Sequence, residues 1–195
     1  MFLIAMQQKE TRMVLIAKWI SLSILILFGF IVPFLSKVIR LPYNYIFLYT
    51  IAGSLSTVIV GLLAKPFVDR IGSKSMIIFS SFCIGILGFV WAVLPATTSV
   101  LILFPLSFLN MFFLGMVLIL IGRLFLKSIP ENNKITFSSM ANFFSAIIAL
   151  VTGLCGGLLI DIAENFQFYL LNSYGLVFIS IFILSFCNGI VCCFL

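Results

Sequence analysis

The chain has 195 residues, of which 64% are hydrophobic and 8% are charged, and its formal net charge is +6. A soluble domain carries about 25% charged and about 45–50% apolar residues, so this composition excludes a soluble globular protein and indicates an integral membrane protein in a lipid bilayer. The eleven Lys and Arg residues stand singly between apolar runs, which excludes the basic patch of a nucleic-acid-binding protein.

Metal, redox and catalytic residues are scarce. The chain has no histidine, and its five cysteines lie within or at the ends of apolar runs without a C-x-x-C pair. We therefore predict no metal site and no cofactor, and we interpret the cysteines as small apolar side chains. The acidic residues lie between the apolar runs and form no acid–base cluster, so we do not expect an enzyme.

Charged and turn-forming residues divide the chain into six apolar runs. A helix crosses a bilayer in about 20 residues, and a charge at mid-bilayer is costly. The sequence therefore predicts an all-α membrane protein with one six-helix domain over residues 1–195. The predicted spans are 13–36, 44–64, 75–94, 100–126, 135–160 and 168–194.

The basic residues predict an orientation. With the N-terminus inside, only Lys37 and Arg40 fall outside, and nine basic residues fall on the cytoplasmic side. Short cytoplasmic loops are enriched in Lys and Arg, so we expect both termini to be cytoplasmic. Lys18 and Arg123 lie within about two turns of the cytoplasmic boundary, which leaves no ionisable residue expected near the middle of a span.

Polar side chains are concentrated in the second, fourth and fifth spans, whereas the third and sixth are the most apolar. We expect the first group to line a wet pathway, and the alternative is that their polar groups only bond one helix to another. The candidate lining residues are Thr50, Ser54, Thr57, Asn110, Asn142 and Ser145.

Small residues recur at four-residue spacing on the second and fifth spans. Gly53 and Gly61 flank Thr57 on the second, and Gly153 precedes Gly157 on the fifth. Such spacing allows helix backbones to approach closely, so it predicts tight packing of these spans. Both end in similar sequences, Gly61-Leu-Leu-Ala and Gly157-Leu-Leu-Ile, which indicates a three-plus-three repeat.

A charged segment with a glycine follows the second span. We predict a loop here, because Gly72 permits a tight turn and the cations favour the cytoplasmic surface. Asp69, among these cations, can accept hydrogen bonds at the N-terminus of a neighbouring helix. The segment reads Lys65-Pro-Phe-Val-Asp69-Arg70-Ile-Gly72-Ser73-Lys74.

This segment resembles the loop signature of the major facilitator superfamily, Gly-x-x-x-Asp-Arg-x-Gly-Arg/Lys-Arg/Lys. Lys65 and Ser73 depart from the signature, in place of a glycine and a basic residue. The resemblance implies that the acid forms a latch that holds one conformation of the transporter. The matching positions are Asp69, Arg70, Gly72 and Lys74.

A second segment is similar to the same family. Pro130, Glu131 and Lys134 precede the fifth span, where a proline and an acid suit a helix entrance. That span closes with Gly156-Gly157-Leu-Leu-Ile-Asp161, and the acidic segment from Asp161 to Gln167 is the predicted last external loop. Together with Pro33 and Lys37 at the exit of the first span, the two segments extend the resemblance over nearly the whole chain. The resemblance implies helices seven to twelve, the C-terminal six-helix half of a twelve-helix transporter.

The resemblance implies a function. A major-facilitator transporter moves a small solute by alternating access of two six-helix halves around a midplane site. We expect a polar solute, a second six-helix half or a second copy as partner, and the bacterial inner (plasma) membrane as location. The alternative is a truncated, non-transporting membrane remnant or scaffold protein. The sixth span ends without a basic flank, which favours a fragment.

Overall fold

The computed structural model describes residues 8–95, 97–129, 134–166 and 172–194, and all regular secondary structure in these ranges is helical. Six helices there are long and apolar enough to cross a membrane, where α1 and α2 count as one. This confirms the predicted all-helical, multi-span architecture. The helices are α1 (Lys9–Phe28), α2 (Ile31–Lys37), α3 (Tyr43–Ile71), α4 (Ser73–Ala92), α5 (Val100–Ser128), α6 (Lys134–Phe166) and α7 (Gly175–Cys193).

The first membrane-length span is interrupted between α1 and α2. Pro33 explains the interruption, because a proline has no N–H and its ring clashes with the carbonyl four residues earlier, which belongs to Gly29. The helical hydrogen bonds resume when the Phe34 N–H donates to the Phe30 carbonyl at 3.1 Å. The interruption therefore does not end the span.

Two helices run past the predicted spans. Helix α3 continues beyond Ala64 to Ile71, and α6 continues beyond Ile160 to Phe166. The segments that begin at Lys65 and at Asp161 are thus helical, and the loops expected there are wrong. Charged side chains mark the boundary of the apolar layer, but Lys, Arg and Glu are good helix formers, so the backbone continues as helix beyond that boundary.

Successive spans run in alternate directions. The starts of α1, α4 and α6 therefore lie at the same end of the bundle as the ends of α3 and α5. We call this the basic end. It carries the side chains of Lys9, Lys65, Lys74, Lys127 and Lys134.

Helices α1 and α5 lie at the centre of the bundle. Helix α1 packs against α5, α6 and α7, and α5 packs against α1, α3 and α4. At the end opposite the basic end, an edge-to-face aromatic cluster joins α2, α4 and α7. The Phe34 ring lies 5.5 Å from Phe178 and 6.1 Å from Trp91, between ring centroids. Such pairs add to the stability that apolar burial provides.

Helices α4 and α7 have the most extensive contact of any described pair. A Cβ on Gly88 would lie 3.0 Å from the Ile181 Cγ2 atom and 3.2 Å from both the Phe178 carbonyl oxygen and the Phe182 nitrogen. The glycine therefore lets α4 approach the backbone of α7 directly. These two helices are the spans that the sequence analysis judged most apolar, and their small residues were not singled out there.

Burial is uneven among the spans. In the most apolar stretch of each, 50% of the residues are buried in the first span and in α4, against 28% in α3 and 11% in α6. The exposed side chains of the last two helices are mostly large and apolar, as at Leu62 and Leu154. Helices α3 and α6 therefore present broad apolar faces outside the bundle formed by this chain.

Candidate functional site

Gly72 is the single residue between α3 and α4 at the basic end. Its φ of 89° and ψ of 146° fall in a backbone region that is essentially restricted to glycine. Its N–H donates to the Val68 carbonyl at 2.9 Å, which closes the last turn of α3. The predicted turn at Gly72 is present, but the loop that was expected around it is reduced to this one residue.

The other residues of the first motif flank Gly72 on two helices. Asp69 and Arg70 lie in the last turn of α3, Lys74 lies in the first turn of α4, and all three side chains are exposed. Within the described part of the chain, the Asp69 carboxylate has no hydrogen bond or ion pair. The helix N-terminus that we expected it to contact is therefore not found among those residues.

Of the three residues predicted before the fifth span, only Lys134 can be described, because Pro130 and Glu131 lie outside the described residues. Lys134 begins α6 and lines a cleft of 450 Å³ between the end of α5 and the start of α6. The cleft opens at the basic end. Its other lining residues are Leu126, Ile129, Ile135, Ser138 and Ser139.

The predicted lining residues of α3 are all exposed. Thr50, Ser54 and Thr57 recur at helical spacing, so they share one face. The hydroxyl of Thr50 donates to the Phe47 carbonyl at 2.7 Å, and that of Thr57 donates to the Gly53 carbonyl at 3.1 Å. Because these threonines bond within their own helix, their hydroxyls form no hydrogen bond to another described helix.

Asn110 and Ser145 are buried instead. Asn110 has no exposed surface, and neither atom of its amide has a hydrogen-bond partner among the described residues. Ser145 donates its hydroxyl to the Ala141 carbonyl of its own helix at 2.8 Å. These two predicted lining residues therefore lie inside the packed bundle of the described residues.

Asn142 is exposed and contacts a residue that the sequence analysis left out of the site. The Lys18 ammonium on α1 donates to the Asn142 Oδ1 atom on α6 at 3.1 Å, and it lies 4.0 Å from the centroid of the Phe125 ring on α5. A cation over an aromatic face is attracted by the ring quadrupole. Lys18 therefore joins three helices, which its position near the boundary of a predicted span did not reveal.

The predicted packing glycines differ in their surroundings. A Cβ on Gly53 would lie 2.9 Å from the Met111 Cγ atom, so α3 and α5 approach closely there. A Cβ on Gly153 would make ordinary contact at 3.9 Å, and nothing among the described residues lies within 4 Å of one on Gly61 or Gly157. The two latter glycines lie on the exposed faces of α3 and α6.

A buried polar network joins three helices in the core. The Asn188 Nδ2 atom on α7 donates to the Ser21 hydroxyl on α1 and to the Ser81 hydroxyl on α4, each at 3.1 Å. All three side chains are buried. The sequence analysis missed this network, and the available signal was the one asparagine of α7, three residues after Ser185 in a largely apolar helix.

Comparison with models of known protein families, with curated proteins and with solved structures finds no match to this chain. The candidate functional features are therefore those of the chain itself: the charged helix junction around Gly72, the exposed faces of α3 and α6, and the contact of Lys18 with Asn142.

Proposed function

We propose that this chain is one six-helix half of a secondary transporter of the major-facilitator type, and that it moves a small solute by alternating access together with a second six-helix unit. In this proposal it is the C-terminal half, and it lies in the bacterial inner membrane with both termini cytoplasmic. The basic end then faces the cytoplasm, as the enrichment of Lys and Arg in short cytoplasmic segments favours.

The pattern of helix contacts supports an internal three-plus-three repeat. In such a repeat, α1 is equivalent to α5, α3 to α6, and α4 to α7. The contact of α1 with α7 is then equivalent to that of α5 with α4, and the contact of α3 with α5 to that of α6 with α1. The pairs α4–α7 and α1–α5 each join two equivalent helices. A six-helix scaffold without a repeat has no reason to follow this pairing.

The observation that carries the proposal is the shared exposure of α3 and α6. They are the second helices of the two triplets and the least buried of the six spans. On each, a glycine lies in open space, Gly61 on α3 and Gly157 on α6. Small residues allow another helix to approach closely, so these faces suit a second six-helix unit.

Polar groups on these faces favour a partner over lipid. Thr50, Ser54 and Thr57 on α3 and Asn142 on α6 are exposed outside the bundle. The threonines bond within their own helix, whereas the Ser54 hydroxyl and the Asn142 Nδ2 group have no hydrogen-bond partner among the described residues. Hydrocarbon provides no hydrogen bond for such groups, so they face a protein or a wet cavity more often than lipid. In the proposed transporter, these residues lie at the interface of the halves, where the solute passes.

Asp69 supports the same arrangement. Its carboxylate is exposed at the junction of α3 and α4 and has no partner in the described part of this chain. A helix N-terminus of the second unit would supply the backbone N–H groups that such an acid accepts. The alternative, a non-transporting remnant or scaffold, requires no partner for this acid.

Solute uptake tests the proposal. The chain is co-expressed with separately encoded N-terminal halves of bacterial facilitators, and also alone, and membrane vesicles are assayed with radiolabelled sugars, amino acids and organic acids. We expect saturable uptake in at least one pairing, and a strong decrease with Asp69→Asn. Uptake equal to that of empty-vector vesicles in every pairing, with the chain present in the membrane, would favour the remnant.

A further inference from the structure

We infer that Lys18, together with Asn142, binds the carboxylate or phosphate group of an anionic solute. This inference rests on the proposed transport function and specifies the solute class for the same site. It is carried by the position of the Lys18 ammonium, which contacts a neutral amide on α6 and an aromatic ring on α5.

Lys18 lies within the first predicted span, 13–36. It follows Arg12 by six residues, about 9 Å along the helix axis, and its side chain is half-buried between α1, α5 and α6. A charge at this depth is costly and is usually paired with an opposite charge or directed to a water-filled path. The cost of retaining a lysine here therefore favours a role for its charge.

The contacts of Lys18 leave this charge uncompensated. Its partners, the Asn142 Oδ1 atom and the Phe125 ring, carry no net charge. Among the described residues, no carboxylate lies within ion-pair distance of its ammonium. An ammonium group has three N–H donors, so at least one donor remains for a ligand.

Asn142 adds a second donor beside the first. Its Oδ1 atom accepts from Lys18 at 3.1 Å, which directs the amide Nδ2 group away from the ammonium. That Nδ2 group has no hydrogen-bond partner in the described ranges. Two adjacent donors, one of them cationic, match the two oxygens of a carboxylate or phosphate.

A cleft at the basic end lies one helical turn from the site. Ser138 lies one helical turn before Asn142 on α6 and lines the 450 Å³ cleft at the basic end. A cleft of this size accommodates a small molecule.

The phosphate of a lipid head group has the same chemistry as a soluble anion, and a lysine near a boundary can extend towards it.

A fluorescence titration distinguishes binding of a soluble anion from binding of a lipid head group. The chain has two tryptophans, and Trp19 is adjacent to Lys18, so Trp91→Phe leaves Trp19 as the only reporter. The full chain is placed in nanodiscs of phosphatidylcholine and titrated with inorganic phosphate, citrate and succinate, and in a second series the fraction of phosphatidylglycerol is varied.

We expect a saturable change in Trp19 emission with at least one soluble anion in phosphatidylcholine. Lys18→Gln should raise the apparent Kd about 10- to 100-fold, as expected for the loss of a hydrogen bond to a charged group. Lys18→Arg should retain binding. Lys37→Gln, at the other end of the same span, is the matched control and should leave the Kd unchanged.

Two results would overturn the inference: a response to phosphatidylglycerol but to no soluble anion, and anion binding that is equal in Lys18→Gln and Lys37→Gln.

The binding assay does not depend on uptake, so the anion site and the transport proposal can fail separately. Uptake of neutral solutes that Lys18→Gln leaves unchanged would overturn the anion site while the transport proposal stands. Lys18-dependent anion binding without uptake in any pairing would support the anion site and contradict the transport proposal.

Discussion

The side-chain amide of Asn188 donates a hydrogen bond to the Ser21 hydroxyl at 3.1 Å, which joins the last described helix to the first. The same nitrogen donates to Ser81 on α4 at 3.1 Å. Hydrogen bonds between helices stabilise membrane bundles by up to about 1–2 kcal/mol each. This network therefore links α1, α4 and α7 in the core.

Asn188→Ala should destabilise the chain. The substitution removes both donated bonds and leaves a small cavity between α1, α4 and α7, so we expect a loss of about 1–3 kcal/mol in the free energy of unfolding. Reversible unfolding in mixed micelles measures it. The matched control is Ser180→Ala, because the Ser180 hydroxyl bonds only the Leu176 carbonyl of its own helix, at 2.9 Å. Equal losses in the two variants would contradict the importance of the network.

Gly88→Ala should separate α4 from α7. Its Cβ would lie 3.2 Å from two backbone atoms of α7, which cannot move away as a flexible side chain can, so we expect a destabilisation of about 1–3 kcal/mol. Gly157→Ala adds the same methyl group in open space and should change the free energy of unfolding by less than about 0.5 kcal/mol. Similar values for both variants would show that α4 and α7 do not approach as closely as described.

Gly72→Ala should strain the junction of α3 and α4. With a φ of 89° and a ψ of 146°, an alanine costs about 1–3 kcal/mol. Unfolding measurements test this, with Gly122→Ala as the control, because Gly122 lies within helix α5 and no described atom would be within 4 Å of its Cβ. A Gly72→Ala variant as stable as the wild type would mean that the junction adopts another conformation.

Asp69→Asn should decrease uptake without changing the stability of the chain. The carboxylate is exposed and without a partner in the described chain, so the free energy of unfolding should change by less than about 0.5 kcal/mol. In an active pairing, we expect uptake to fall at least about fivefold, because a latch that favours one conformation couples the two units. Unchanged uptake would leave Asp69 an ordinary charged residue at the membrane boundary.

The helical, multi-span architecture could be predicted from the sequence because a bilayer imposes long apolar runs bounded by charges. Helix ends could not be predicted from those charges. Lys65 and Asp161 were assigned to loops, yet both lie in helices, since charge marks the end of the apolar layer and the backbone hydrogen bonds continue past it. The turn at Gly72 was predictable because a single glycine follows a charged helix end.

The partners of the polar residues were not predictable. Asn142 and Asn110 appeared equivalent in sequence, but one is exposed beside Lys18 and the other is fully buried. Which face of a helix meets the bundle depends on how neighbouring helices pack. These spans carry apolar residues on every face, so no periodic pattern in the sequence identifies the buried one. Asn188 was missed for the same reason, although Ser185 lies three residues before it on the same helix.

The central claim is that the faces of α3 and α6 pack against a second six-helix unit. Site-specific photo-crosslinking in intact membranes tests it directly, with benzoylphenylalanine at Gly61 or at Gly157, where open space accommodates the larger side chain. Ile86, an exposed residue of α4, is the control position. We expect both glycine positions to crosslink to a membrane polypeptide, either a separate half or a second copy of this chain, and position 86 to give lipid adducts alone. Lipid adducts alone at all three positions would contradict the claim.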